Sequence, residues 1–344
     1  MKFYKYMFFL LIITVLSGGY SYLPAQIEKK AQVGFRFLEN PVSAEVAGRG
    51  QVGITTTYNS NGIFWNPALL GLIQSNYDLS LNHTSGIADI DYNALAATVK
   101  LGNAGVLGFS LLAMDYGDFY GTVRAGNSQG YTETGTFSPT AFAAGIAFSQ
   151  AVSDKFSYGI HLKYVYQDLG EAYIATSGSV DSGLVLDKRK YSSSNLTLPF
   201  AIDVGAYYDF QYNGIKFGAA LQNISKEFRY ENEKFPMPFS VNFGLTVEPL
   251  GFFDIHDKDH NLMVCAESRH PRDFGEKTKF GAEYKYMDMF IARIGYMTNY
   301  DGRDITAGLG VRYNLSGVPL RIDYAYEPYD IFGDVHFLSL GISY

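Results

Sequence analysis

The feature that most limits what this chain can become is a strict two-residue alternation of side-chain character. Over 156–167 the even positions are Phe156, Tyr158, Ile160, Leu162, Tyr164 and Tyr166. The odd positions are Ser157, Gly159, His161, Lys163, Val165 and Gln167. Successive side chains of a strand point to opposite faces, so such a segment has one apolar face and one small or polar face. The pattern recurs at Phe239-Val241-Phe243-Leu245-Val247, Phe280-Ala282-Tyr284-Tyr286 and Leu320-Ile322-Tyr324-Tyr326. The runs are about eight to eleven residues long, the length that crosses a bilayer when tilted, whereas sandwich strands average about five or six.

The N-terminus reads as a leader for export. Lys2 and Lys5 precede an apolar run, Tyr6 to Leu16, that is too short to span as a helix, and small residues follow. Cleavage after Ser21 or after Ala25 fits these small residues; Ala25 is preferred, making 1–25 the signal peptide. No later run approaches the roughly 18 apolar residues of a membrane helix. An exported chain that is 47% hydrophobic must then spread its apolar residues by alternation. A membrane barrel does this with its apolar face on lipid and its polar face in the lumen.

The reading is therefore all-β: a closed antiparallel transmembrane barrel of about fourteen strands over 76–344, in the outer membrane of a bacterium. The strands are placed near 77–83, 92–101, 105–113, 141–151, 156–167, 197–209, 214–223, 239–247, 260–268, 277–286, 290–296, 305–313, 320–326 and 335–344. Short connections at 102–104, 152–155, 211–213 and 287–289 alternate with long ones at 114–140, 168–196 and 224–238, as periplasmic turns alternate with outer loops. The turn 248–259 is long for its side. Alternation runs to the last residue, Tyr344, so the last strand is expected to pair with the first. A terminal aromatic strand also resembles the signal read by the outer-membrane assembly machinery. Residues 26–75 do not alternate and are read as a small N-terminal plug inside the barrel.

Composition excludes other classes. Thirty-four acidic residues against 27 basic ones argue against a nucleic-acid partner. The single cysteine, Cys265, allows no internal disulfide. His256 and His260 have the i, i+4 spacing of a metal pair, but they lie in an Asp- and Lys-rich turn with no third ligand implied, so no metal or cofactor is expected. The one Gly-x-Ser-x-Gly match, Gly126-Asn127-Ser128-Gln129-Gly130, lies in the long connection 114–140 rather than at a strand-to-helix turn, and the chain does not read as an enzyme.

Gly48-Arg49-Gly50, followed by Trp65-Asn66-Pro67-Ala68, resembles the N-terminal signature of the PorV/PorQ family, within the broader FadL-like group of barrels. Phe235-Pro236-Met237-Pro238-Phe239, Glu267 through His270-Pro271, Arg293-Ile294-Gly295-Tyr296, Ala307-Gly308-Leu309-Gly310, Asp323-Tyr324-Ala325-Tyr326 and Phe337-Leu338-Ser339-Leu340-Gly341 resemble its later strands. One stretch departs: Asn59-Ser60-Asn61-Gly62 stands where that family is commonly acidic. The resemblance implies fourteen strands and an N-terminal hatch. It also implies a part in type IX secretion, in which the barrel binds the C-terminal signal domain of cargo proteins alongside other secretion components. The alternative is a FadL-type transporter of hydrophobic small molecules.

Two sets of residues follow from the alternation and the loops. The polar face carries His161, Lys163, Asp203, Lys216, Glu267, Lys279, Glu283, Lys285, Arg293, Arg312, Arg321 and Asp323, read as a lumenal ion network bracing the plug. The long loops carry Phe119, Tyr120, Tyr131, Tyr173, Tyr191, Phe228 and Tyr230, aromatics suited to capturing a protein partner.

Overall fold

A computed structural model describes residues 32–179, 183–192, 199–230, 233–253 and 259–344, with the backbone path alone over 171–179, 183–192, 229–230 and 233. The leader, 1–25, lies outside the described residues.

Fifteen strands share one sheet, and the one over Gly183–Ser192 pairs only with the outer part of its predecessor, so fourteen form the wall. They are β1 (Tyr77–Ser85), β2 (Asp91–Lys100), β3 (Val106–Asp115), β4 (Thr140–Ala151), β5 (Phe156–Ser179), β6 (Phe200–Asp209) and β7 (Lys216–Ile224). The wall continues with β8 (Ser240–Val247), β9 (His260–Pro271), β10 (Lys277–Tyr286), β11 (Phe290–Met297), β12 (Ile305–Leu315), β13 (Val318–Pro328) and β14 (Asp334–Ser343). Each strand pairs antiparallel with its neighbour in sequence. β1 pairs with β14, Asp78 opposite Ser343 and Ser85 opposite His336, which closes the wall and leaves no open edge.

The faces are inverted relative to a soluble barrel. Outward-facing Leu309 is 64% exposed, whereas inward-facing Arg293 is 5% exposed. Ile160, Leu162, Ile294, Ile322, Leu338 and Leu340 likewise point out, while His161, Asp203, Glu267 and Asp323 are buried inside. An apolar exterior around a polar interior is stable only in a lipid surround. An even-numbered, closed antiparallel wall of this kind is the bacterial outer-membrane architecture.

Strand bounds depart from the sequence reading mainly on the long-loop side. β9 runs past the expected 268 to Pro271, and β5 runs past 167 to Ser179. The segments read as loops contain further hairpins: Phe119–Arg124 with Tyr131–Phe137, the outer part of β5 with Gly183–Ser192, and Phe228–Tyr230 with Glu233–Phe235. Beyond the bilayer both faces of a strand meet water. The apolar–polar alternation then lapses while the backbone ladder continues. In the turn 248–259, Pro249–Phe252 forms one helical turn, with proline at its start where no amide donor is needed.

Residues 33–73 run inside the wall and are buried along most of their length. The segment starts among the long connections, where the Gly34 amide donates to the Pro236 carbonyl at 3.0 Å. It ends at the short-turn side, where the Lys100 amide donates to the Asn76 carbonyl at 2.8 Å, and enters β1. Between these points it forms a helical turn, Ala44–Ala47, and tight turns at Ser60–Phe64 and Pro67–Leu72.

Candidate functional site

The two family-like motifs are where the inner segment meets the wall most closely. Gly50 has φ +66°, and a Cβ there would lie 2.7 Å from the Phe280 carbonyl oxygen. A Cβ on Gly295 opposite would lie 1.9 Å from the Gly50 nitrogen. Backbone thus touches backbone, which only glycine on both sides permits. Asn66 caps the turn that follows it, its Oδ1 accepting from the Ala68 amide at 3.1 Å. Its Nδ2 donates to the carbonyls of Ile54 (2.9 Å) and Ala206 (3.1 Å). Ser149 and Ser157 hydroxyls both donate to the Ala68 carbonyl, and Gln222 Nε2 donates to the Trp65 carbonyl. A Cβ on Gly159 would lie 2.4 Å from the Pro67 carbonyl carbon, so this wall position is small because Pro67 lies over it. In the departing stretch, Asn59 bonds to Glu45, and the Ser60 amide donates to Asp78 of β1 at 2.9 Å.

Ion pairs join the segment to one sector of the wall. A chain runs Glu45–Arg49–Glu283–Arg293–Asp323–Arg312, with contacts of 3.2, 2.5, 2.7, 2.7 and 2.9 Å. Beside it Lys279 pairs with Glu267 at 3.0 Å and donates to the Gln51 carbonyl at 3.1 Å. Glu267 also accepts the amides of Gly53 and Ile54. Arg321 pairs with Asp78 at 2.7 Å. Each buried charge therefore meets an opposite charge or a backbone dipole, which such burial requires. Lys285 stands apart: its contact is with exposed Asp288, at 3.8 Å, at the rim. Periodicity identified the wall residues but not Glu45 or Gln51, which lie where no alternation marks a face; Glu327 continues the inward register of Arg321, Asp323 and Ala325 one position past the strand end expected at 326. Gln51 Nε2 donates to Glu327, and Arg303 pairs with Glu327 at 2.8 Å.

A second cluster spans β3 to β7. Ser110 Oγ lies 2.9 Å from His161 Nε2, and His161 Nδ1 lies 3.1 Å from Asp203. The order Ser–His–Asp is that of a hydrolytic triad, but the surroundings do not support one. Ser110 sits mid-strand between β2 and β4, with neighbouring amides committed to the ladder, so no pair of free N–H groups awaits an oxyanion. Asp203 is also shared with Lys163 at 2.8 Å and accepts the Asn223 amide at 2.7 Å. Lys163 in turn donates to Asn223 Oδ1 at 2.5 Å. The cluster staples a register shift in β7, where Asn223 has φ 58°.

The lumen is not uniformly polar, which corrects the picture drawn from alternation. Over the outer half of β3–β7 the inner wall presents Leu112, Met114, Ala141, Ala143, Val165 and Ala201. Phe35, Phe37, Val42 and Met237 pack against them. Below this apolar sector lies a cavity of about 50 Å³, between Leu38, Val42, Trp65 and Leu112 on one side and His161, Lys163, Gln222 and Glu267 on the other. Above it, at the outer mouth, opens a crevice of about 790 Å³ lined by Val33, Phe35, Tyr116, Leu169, Phe235 and Pro236, with Arg36, Glu227, Lys234, Arg272 and Asp273 around them.

The loop aromatics divide. Tyr120 is 80% exposed, and Phe119 and Tyr131 are also on the surface, with Phe119 stacked on Phe137 at 5.6 Å. Phe228 is not a surface aromatic: it is 4% exposed and packs edge-on against Phe35 at 5.8 Å. The hairpin that carries it folds down over the inner segment. The side chains of Tyr173, Tyr191 and Tyr230 lie outside the described residues, as does His256. His260 faces out and contacts the Tyr284 hydroxyl.

No family model matches the sequence, and no curated protein matches it. Solved structures do share its architecture. The toluene transporter TbuX of Ralstonia pickettii aligns with a TM-score of 0.58 at 14% identity, over 89% of this chain and 98% of that one. The toluene transporter TodX of Pseudomonas putida aligns at 0.56 and 13%, over 92% and 98%. A FadL homologue of Pseudomonas aeruginosa aligns at 0.56 and 11%, over 89% and 98%. The chain is thus an outer-membrane β-barrel. Its fold is that of the FadL-type, fourteen-stranded barrels.

Proposed function

We propose that the barrel admits small apolar molecules across the outer membrane, with the described part of the segment 26–75, residues 32–75, acting as its plug; 26–31 lie outside the described residues. This takes up the alternative drawn from the sequence in preference to a secretion role. The observation that carries it is the apolar cluster that runs inward from Phe35 at the outer crevice through Phe37 to Leu112 and Met114. The shared fold with proteins described as toluene transporters supports it. In the closed arrangement the inner cavity, at about 50 Å³, holds only a few waters at roughly 10–15 Å³ each, so a ring-sized solute requires movement. The anchoring is uneven in a way that suits this. Residues 45–54 are tied by the buried ion chains, whereas 33–42 rest on apolar contacts and the rim pairs Arg36–Asp273 and Arg269–Glu39. The outer part of the plug is the part that yields. The test is uptake of radiolabelled toluene by cells with an intact outer membrane. Expression of the protein raises the rate, and Ala143→Trp, which fills the apolar sector, returns it to the level of cells lacking the protein. Equal uptake with and without the protein refutes the reading.

One observation favours a secretion role as a second reading: the outer hairpin 119–137 carries Phe119, Tyr120 and Tyr131 on its surface. Pull-down from the native outer membrane separates the two. Recovery of a secreted protein's C-terminal domain, lost when the hairpin is shortened, supports cargo binding.

A further inference from the structure

At the outer rim, cations and aromatic rings alternate in one continuous stack. Arg36 lies over the Phe274 ring at 4.8 Å, and Lys277 lies over the same ring at 4.9 Å. Lys277 also lies over Tyr300 at 4.2 Å, and Arg303 lies over Tyr300 at 4.7 Å and over Tyr329 at 4.9 Å. Each ring attracts its cations, but only a ring separates one cation from the next. The arginines are compensated. Arg36 pairs with Asp273 at 2.8 Å and Glu39 at 2.9 Å, and Arg303 pairs with Glu327 at 2.8 Å. Lys277, at the centre of the stack, forms no hydrogen bond or ion pair with a described residue. Its neighbour Glu276 is taken by the Ser268 hydroxyl. The strand register sharpens this gap. Between β9 and β10, Glu267 stands opposite Lys279, and the two pair at 3.0 Å. One step further out on the same face, Arg269 stands opposite Lys277. Residues so placed have Cβ atoms about 4.5–5.5 Å apart, and like charges there repel. Arg269 has Glu39 at 2.6 Å, a carboxylate already shared with Arg36. Lys277 is half-buried, and its Nζ remains open to solvent. An accessible ammonium with three unused donors thus faces a guanidinium across the ladder.

We infer that Lys277, together with Arg269, binds the carboxylate of an organic acid at the outer mouth. A carboxylate is acceptor-only and carries two oxygens, one for the ammonium and one for the guanidinium, and its charge relieves the repulsion between the two cations. A neutral solute offers no such relief. The site is independent of the apolar intake, because none of its groups belongs to the apolar cluster around Phe35 and Leu112.

The experiment follows acetylation of individual lysines by mass spectrometry, using the full barrel in non-ionic detergent at constant pH. The reagent attacks the free amine, and a bound carboxylate holds the proton on Lys277. A hydrogen bond between charged groups corresponds to about tenfold in an equilibrium constant, so saturating benzoate should slow acetylation of Lys277 about tenfold. Lys155, exposed in a short turn, serves as the reference and should keep its rate. Sodium chloride at equal ionic strength and benzyl alcohol, which keeps the ring without the charge, should leave Lys277 as reactive as before. Equilibrium dialysis of radiolabelled benzoate supplies a second measurement. Lys277→Met keeps an apolar stem between the two rings and should lose the bound benzoate. Equal protection by chloride or by benzyl alcohol overturns the inference, as does an unchanged rate in benzoate. Protection by inorganic phosphate but not by benzoate overturns the choice of a carboxylate. Benzoate retained by Lys277→Met overturns the assignment to this residue.

Discussion

Arg49→Met tests whether the ion chain holds the inner segment in the wall. Arg49 is 1% exposed and spans two carboxylates, Glu283 at 2.5 Å and Glu45 at 3.2 Å, with Thr56 Oγ1 at 3.1 Å. Removing one partner of a buried pair costs about 3–5 kcal/mol, because the other charge stays buried. Here the loss falls at the lower end, about 3 kcal/mol, because Glu283 keeps Arg293 and Glu45 keeps Asn59. The wall ladder involves none of these side chains, so the cost is borne by local opening of the segment. The single cysteine reports it. Cys265 is 2% exposed, and a Cβ on Gly281 would touch both its Sγ, at 2.9 Å, and the Arg49 carbonyl, at 2.5 Å. Reaching the thiol requires the segment to lift. When reclosing is fast, alkylation follows the opening equilibrium, so maleimide modification of Cys265 should accelerate about a hundredfold in Arg49→Met. The barrel should meanwhile keep its folded migration in unheated gels. An unchanged alkylation rate would refute the argument that these pairs hold the segment. Simultaneous loss of the folded band would refute the independence of wall and segment.

Other outcomes follow from the same geometry. Ile160→Arg or Leu162→Arg, on the lipid face, should destabilise the barrel by about 2–4 kcal/mol in urea titrations of liposome-folded protein. Gly159→Ala, one residue away, should act instead by pushing Pro67 off the wall, at about 1–3 kcal/mol, and its effect should vanish if the inner segment is deleted. In a Cys265→Ser background, a cysteine at Tyr120 should be labelled on intact cells, whereas one at Ser153 should not; the reverse pattern would invert the topology. Phe228→Ala should free the hairpin that covers Phe35 and raise protease cleavage between Phe228 and Phe235, with the wall still folded.

The alternation in the sequence determined the wall. Side chains of a strand alternate faces irrespective of what surrounds them, so Ile160 against His161, or Ile294 against Arg293, was already sorted before folding. The sort is binary, however, and that is where it stopped. It assigned no face character to small residues such as Ala143 and Ala201, and only the packed lumen shows that they join Leu112 and Phe37 in an apolar sector. Alternation could also name Arg293, Glu283 and Asp323 as lumenal but not couple them. Their partners Glu45 and Arg49 come from a segment without periodicity, over two hundred residues away along the chain. Phe228 looked like a surface aromatic because a loop sequence carries no face. Its burial depends on the hairpin folding back over Phe35. Local periodicity fixes which side of a strand a residue takes, but the partner it meets there depends on the non-local path of the chain, and that path is decided only when the wall closes around the segment inside it.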